Sequence, residues 1–195
     1  MLGMMTALAL MVSALAPPDD APPALTAEIV SVNGTGCPGT TAGVGVTADR
    51  KAFTLTYTNF AARAGTGATP TEFRRNCQVN LRFKYSDEFT FAIKGFEHQG
   101  SAKLQAGASG VLRANDYYAG GAQRPVASHT FSGPFNDNWR TKDEIAGDAL
   151  FYPPCGQKWN LNVNTEIRVN KGSSTELSTM TEAGSEYRLH WKKCG

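Results

Sequence analysis

The segment Leu161-Asn162-Val163-Asn164-Thr165-Glu166-Ile167-Arg168-Val169 sets the reading of this chain. Leu161, Val163, Ile167 and Val169 alternate with Asn162, Asn164, Glu166 and Arg168, and Asn160 continues the polar phase one step earlier. A period of two sends successive side chains to opposite faces of a strand, one onto a core and the other into water. The same alternation recurs in Phe53-Thr54-Leu55-Thr56-Tyr57. It recurs again in Val79, Leu81, Phe83, Tyr85 against Gln78, Asn80, Arg82, Lys84, and in Tyr187, Leu189, Trp191 against Arg188, His190, Lys192. Half-exposed strands of this kind pair antiparallel.

Turn signals separate these runs at Asn33-Gly34, Asp49-Arg50, Ser86-Asp87, Gly107 to Gly110, Gly120-Gly121, Lys171-Gly172 and Ala183-Gly184. Only Asp143 to Leu150 suggests a short helix, and Ala61 to Asn76 reads as a long loop carrying Arg63, Arg74 and Arg75. Many short strands without intervening helices predict an all-β fold, an antiparallel β-sandwich or jelly roll, with a closed β-barrel as the architectural alternative.

Composition agrees. The 195 residues are 41% hydrophobic and only 18% charged, with 20 Gly and 10 Pro. The low charge and 10% aromatic content exclude a disordered chain, and the length fits one domain. A net charge of +2 supplies no basic stripe of the kind nucleic acid requires.

Met4 to Leu15 is an uncharged apolar run ending in Ala14-Leu15-Ala16, the small-x-small form of a signal peptidase site. The run is too short to span a membrane. The expected organisation is a signal peptide at 1–16, a proline-rich linker at 17–26 and one secreted domain at 27–195, with no integral membrane segment in the mature chain. Cys37, Cys77, Cys155 and Cys194 have no CxxC or Cys/His ligand spacing, so they read as two disulfides of an exported protein and not as a metal site. Four cysteines allow three pairings. The preferred one joins Cys37 to Cys194, the end of the first strand to the end of the last, and Cys77 to Cys155.

Several blocks in order resemble a known family: Asn33-Gly34-Thr35-Gly36-Cys37-Pro38, Arg74-Arg75-Asn76-Cys77-Gln78, Tyr117-Tyr118, His129-Thr130-Phe131-Ser132-Gly133-Pro134, Pro154-Cys155-Gly156 and His190-Trp191-Lys192-Lys193-Cys194. Over Ala27 to Cys194 the chain is similar to the secreted proteins of actinobacteria and fungi grouped as the DUF family numbered forty-three sixty. The resemblance implies a secreted, mostly β domain with four matching cysteines, and it implies no catalytic residue.

No GxSxG elbow, HExxH, Walker loop or dinucleotide fingerprint occurs, so neither a catalytic set nor a cofactor is assigned. Glu97-His98 with Asp116 is the best acid/base trio, and no spacing rule requires it. His129 and His190 complete the histidines, and lone histidines on strands are ordinarily hydrogen-bonded or solvated. Asp137, Asp143, Glu144 and Asp148 could offer oxygens to Ca²⁺, but lacking EF-hand spacing they read as a solvated loop.

The candidate ligand-binding residues are Tyr117, Tyr118, Trp139, Trp159 and Asn162, with Phe135 beside them. The aromatics fall in or beside predicted loops rich in Gly, Asn and Asp, where they could stack sugar rings. Asn160, Asn162, Asn164, Glu166 and Arg168 form one polar row whose amides donate and accept at once. The bland alternative makes the tryptophans core lids and the row a wetted sheet face. These features favour a non-enzymatic extracellular binding module for cell-surface polysaccharide or a protein partner. An extracellular hydrolase with unidentified carboxylates, or a membrane-active toxin or antimicrobial effector, is the alternative.

Overall fold

The computed structural model of the protein describes residues 21–39 and 41–195, so the leader at 1–16 and the first part of the linker lie outside the described residues. The described chain forms eleven strands: β1 (Thr26–Asn33), β2 (Ala42–Val46), β3 (Ala52–Tyr57), β4 (Ala61–Ala64), β5 (Arg74–Lys84), β6 (Phe89–Leu104), β7 (Ser109–Tyr118), β8 (Ala127–Ser132), β9 (Phe135–Glu144), β10 (Leu161–Asn170) and β11 (Ser178–Lys193). They build two antiparallel sheets. One runs β1-β5-β10-β7-β8, the other β2-β3-β11-β6-β9 with β4 on β11. Neither sheet closes on itself, so the fold is the sandwich and not the barrel.

The alternation read from the sequence is what glues the sheets. Val79, Leu81, Leu112, Leu161, Val163 and Ile167 are fully buried on the inner face of the five-stranded sheet, against Phe53, Leu55, Phe91, Ile93, Met180 and Tyr187 of the other. Each such side chain contributes about 1.5–3 kcal/mol relative to exposure. An aromatic chain ties both faces together: Phe53 lies 4.9 Å from Tyr187 and 5.1 Å from Phe83, and Phe91 lies 5.2 Å from Phe83 and 5.0 Å from Trp191.

Three local expectations change. Ala183-Gly184 is not a turn. It is a β-bulge inside β11, where pairing steps from Glu182↔Gly100 to Gly184↔Gln99. Here β11 changes its other partner as well, from β4 at Ser178 to Thr181 to β3 at Gly184 to Arg188. A Cβ on Gly184 would sit 2.5 Å from the Leu55 carbonyl oxygen, so the close approach needs glycine. The long loop at 61–76 contains β4 and the start of β5, because Ala61 to Ala64 pair with Thr181 to Ser178 of β11 and Arg74 to Asn76 pair with Arg168 to Glu166 of β10. The expected helix at 143–150 is the end of β9 followed by a single 3₁₀ turn, Gly147–Ala149.

The disulfides are Cys37–Cys77 and Cys155–Cys194, which corrects the preferred pairing. The first strand lies in one sheet and the last in the other, so their ends do not meet. β1 pairs with β5 up to Asn33↔Gln78, and the turn at Gly34 folds the chain back so that Gly36 N–H binds the Asn76 carbonyl. Gly34 has φ +134°, and a Cβ there would lie 2.1 Å from the Asn76 oxygen. That turn delivers Cys37 to Cys77 with Cα atoms 5.4 Å apart. At the other end Cys194 N–H binds the Glu88 carbonyl while Thr90 Oγ1 donates to the Pro153 carbonyl, drawing the Cys155 loop to the end of β11.

Non-reducing peptide mapping is therefore expected to recover Cys37 joined to Cys77 and Cys155 joined to Cys194; Cys37 joined to Cys194 would refute this connectivity. The bridges span 40 and 39 residues, loops for which the chain-entropy relation gives about 4 kcal/mol each. Replacing Cys37 and Cys77 together by Ala is expected to cost about 2–5 kcal/mol in urea unfolding.

Candidate functional site: the outer face of the five-stranded sheet

The polar phase of β10 faces outward, flanked by the polar phases of β5 and β7. Asn162 lies between Asn80 and Tyr117, Asn164 between Gln78 and Asn115, and Glu166 between Asn76 and Arg113. Asn80 Nδ2 donates to Asn162 Oδ1 at 2.8 Å, and Asn160 Nδ2 to Asn80 Oδ1 at 2.8 Å. Asn164 Nδ2 reaches Asn115 Oδ1 at 3.4 Å, and Gln78 Nε2 reaches the Tyr117 hydroxyl at 3.4 Å. An amide offers two donors and an acceptor oxygen with two lone pairs, so these contacts orient the half-buried amides while leaving hydrogen-bonding capacity directed outward.

Toward the Asn170 end the face becomes charged. Glu166 is bound by both Arg74 and Arg168, and beyond this end of the face Glu72, in the loop before β5, is bound by Arg63 and Arg75. Burial pushes the Glu166 carboxyl up, but the hydrogen bonds from Arg168 and Arg74 more than cancel this and leave it below the ordinary value. Two grooves open on this part of the face. One, about 870 Å³, has Ser109, Val111, Arg168 and Asn170 in its lining, with Phe73 beside them 47% exposed. The other, about 350 Å³, is lined among others by Arg74, Asn76, Gln78, Arg113, Asn115 and Asn164.

Of the sequence candidates, Tyr117 and Asn162 share this face, and Trp159 sits just before Asn160, half-buried, stacked on Phe151 with Nε1 donating to Gln157 at 2.7 Å. Asn162 is itself buried, its oxygen used by Asn80, so it holds a neighbour in place. Tyr118 and Trp139 are not loop residues. Both are buried in strands, Tyr118 donating to the Phe91 carbonyl at 2.9 Å and Trp139 packed 5.3 Å from Phe131. Phe135, Asp137, Asp143 and Glu144 belong to β9, whose alternation the intervening polar residues hide.

The trio Glu97, His98 and Asp116 does not assemble. Asp116 lies on the other sheet, buried and bound to Arg124, whose own burial lowers its pKa to about 10. His98 points inward, with Nδ1 2.8 Å from Oε1 of Glu182, both side chains closed from solvent. His129 binds Asp143 at 2.9 Å, and His190 lies 2.6 Å from the Tyr152 hydroxyl. Among the described residues no three His, Cys, Asp or Glu side chains are grouped to hold a metal, and no helix is long and apolar enough to cross a membrane.

Fold and disulfides make this a cross-linked antiparallel β-sandwich with a polar, groove-bearing sheet face. Its sequence matches the profile of Domain of unknown function (DUF4360) over residues 24–194, and the chain belongs to that family. It is 30% identical over 171 residues to an uncharacterized secreted protein of Arthroderma benhamiae, covering 85% of this chain and 70% of that one. Among solved structures it is similar to the enzymatically active domain of bacteriophage CBA120 tailspike protein 4, at 11% identity and TM-score 0.30, covering 84% of this chain and 19% of that chain. It is also similar to TmCBM61 in complex with β-1,4-galactotriose, at 8% identity and TM-score 0.27, covering 90% and 92%. Structural likeness this slight carries no argument about ligand.

Beneath the sheets, the His98–Glu182 pair sits in a buried polar cluster. The buried hydroxyls of Tyr57, Thr165, Ser185 and Tyr187 belong to it, and Glu182 Oε2 and His98 Nε2 have no protein hydrogen-bond partner among the described residues. Burial raises the Glu182 pKa, against the lowering effect of His98, and burial raises Tyr57 and Tyr187 too. A carboxyl with a raised folded pKa contributes stability that is complete below its unfolded value and is lost as pH climbs through the folded one. The difference in melting temperature between the protein and Glu182→Gln is therefore expected to shift against the native protein from about pH 4 to pH 8. A difference constant across that range would refute the assignment.

Proposed function

We propose that the protein is a secreted, non-enzymatic binding module that holds an extracellular polymer, with cell-surface polysaccharide as the class, on the outer face of its five-stranded sheet. The carrying observation is the oriented amide array of Gln78, Asn80, Asn115, Asn160 and Asn164 around Tyr117. Sugar hydroxyls both donate and accept, as amides do, and a flat row of such groups matches an extended chain better than a single small molecule.

Export supports the same reading. Two disulfides belong to oxidising compartments, a relative is named as secreted, and Met4 to Ala16 has the form of a cleaved leader. In this reading residues 1–16 are removed, the proline-rich stretch that follows is a linker, and the binding domain is the sandwich, whose first strand begins at Thr26.

A glycan array and sedimentation with insoluble cell-wall polysaccharides test the proposal. Retention on at least one polysaccharide is expected. The double variant Tyr117→Ala/Asn164→Ala should weaken it about tenfold or more, since each lost hydrogen bond is worth about 1 kcal/mol. Arg140→Ala, on the exposed side of the other sheet, should leave it unchanged. No retention on any polysaccharide would overturn the proposal.

A further inference from the structure

The grooves at the Asn170 end carry charge that the amide array does not explain. Their linings include Arg63, Arg74, Arg113, Arg168 and Lys171 against one carboxylate, Glu166. Five of the chain's 19 Lys and Arg residues line these two grooves. Arg113 is exposed, and among the described residues no ion pair or hydrogen bond holds its guanidinium. Like charges gathered on one surface repel, and their field draws anions to the groove.

We infer that this part of the face takes the carboxylate groups of an anionic, uronate-type polysaccharide; the inference rests on the binding module proposed above and specifies its ligand. The planar guanidinium fork matches a carboxylate in two-point contact. This face already holds one carboxylate between guanidinium groups, Glu166 between Arg74 and Arg168. Arg113 and Lys171 supply the cations not committed to such a pair, although Lys171 Nζ donates to the Ser174 carbonyl at 3.3 Å. The adjoining Gln78, Asn115 and Asn164 meet the hydroxyls of the same chain, and the exposed ring of Phe73 offers an apolar surface to a sugar face.

The test compares polygalacturonate with neutral galactan by affinity electrophoresis and calorimetry. Polygalacturonate is expected to bind about tenfold tighter or more, to weaken steeply between low and high salt, and to lose about tenfold in Arg113→Gln/Lys171→Gln. Both substituted residues are exposed, so thermal melting should confirm an intact fold. Equal binding of the two polymers, or a double variant that binds polygalacturonate as the native protein does, would overturn this inference and leave the binding module standing. Tighter binding of single-stranded poly(dT) than of polygalacturonate would overturn it in favour of a nucleic-acid ligand. Retention of no polysaccharide at all would overturn it together with the binding module.

Discussion

β10 is hydrogen-bonded along both edges, to β5 from Leu161↔Leu81 to Arg168↔Arg74 and to β7 from Leu161↔Tyr118 to Asn170↔Ser109. That double pairing locks one register. A slip of one residue would turn Leu161, Val163 and Ile167 out to water and drive Asn162, Asn164 and Glu166 into the core. The three inner residues are completely buried, so the core resists the slip by several kcal/mol. The same resistance keeps the outer amides level with Gln78, Asn80 and Asn115. Core packing on one face thus positions the polar row on the other, and the rigidity of the candidate site is inherited from the hydrophobic contact beneath it.

The opposite sheet contributes a different balance. Its spine is the antiparallel pair β6 and β11, each 16 residues long, and this pair carries both the aromatic packing and the His98–Glu182 contact. Burying a carboxyl and an imidazole costs desolvation that one hydrogen bond does not fully offset. The pair nonetheless sits where the bulge at Gly184 and the handover from β4 to β3 bend β11. The disulfides fasten each sheet at a separate place, one beside β5 and one at the end of β11, so the link that matters between the sheets is side-chain packing and not a covalent bridge.

Much of this could be read from local order. Phe53 to Tyr57, Val79 to Lys84, Leu161 to Val169 and Tyr187 to Trp191 are strands with the faces their alternation assigned. Asn33-Gly34 is a turn, and its glycine is needed for φ as well as for space. β9 escaped recognition because Asn136, Asp137 and Asn138 mimic a loop, whereas Trp139 and Thr141 are its buried phase. The groove residue Phe73 and the free Arg113 gave no local signal, since neither belongs to a motif.

The chain order alone carried the period of two, the polar row on β10, the even cysteine count and the family blocks, because a side chain's face on a strand follows from covalent geometry. Which cysteines meet, which aromatics are core and where the cations gather depended on which strands become neighbours. Tyr118 and Trp139 were absorbed by the inter-sheet core, Cys37 went to Cys77 because β1 lies on β5, and Arg63, Arg74, Arg113, Arg168 and Lys171 converged from four separate stretches of chain. Strand neighbours are chosen by packing between residues far apart in sequence, and no local pattern encodes that choice.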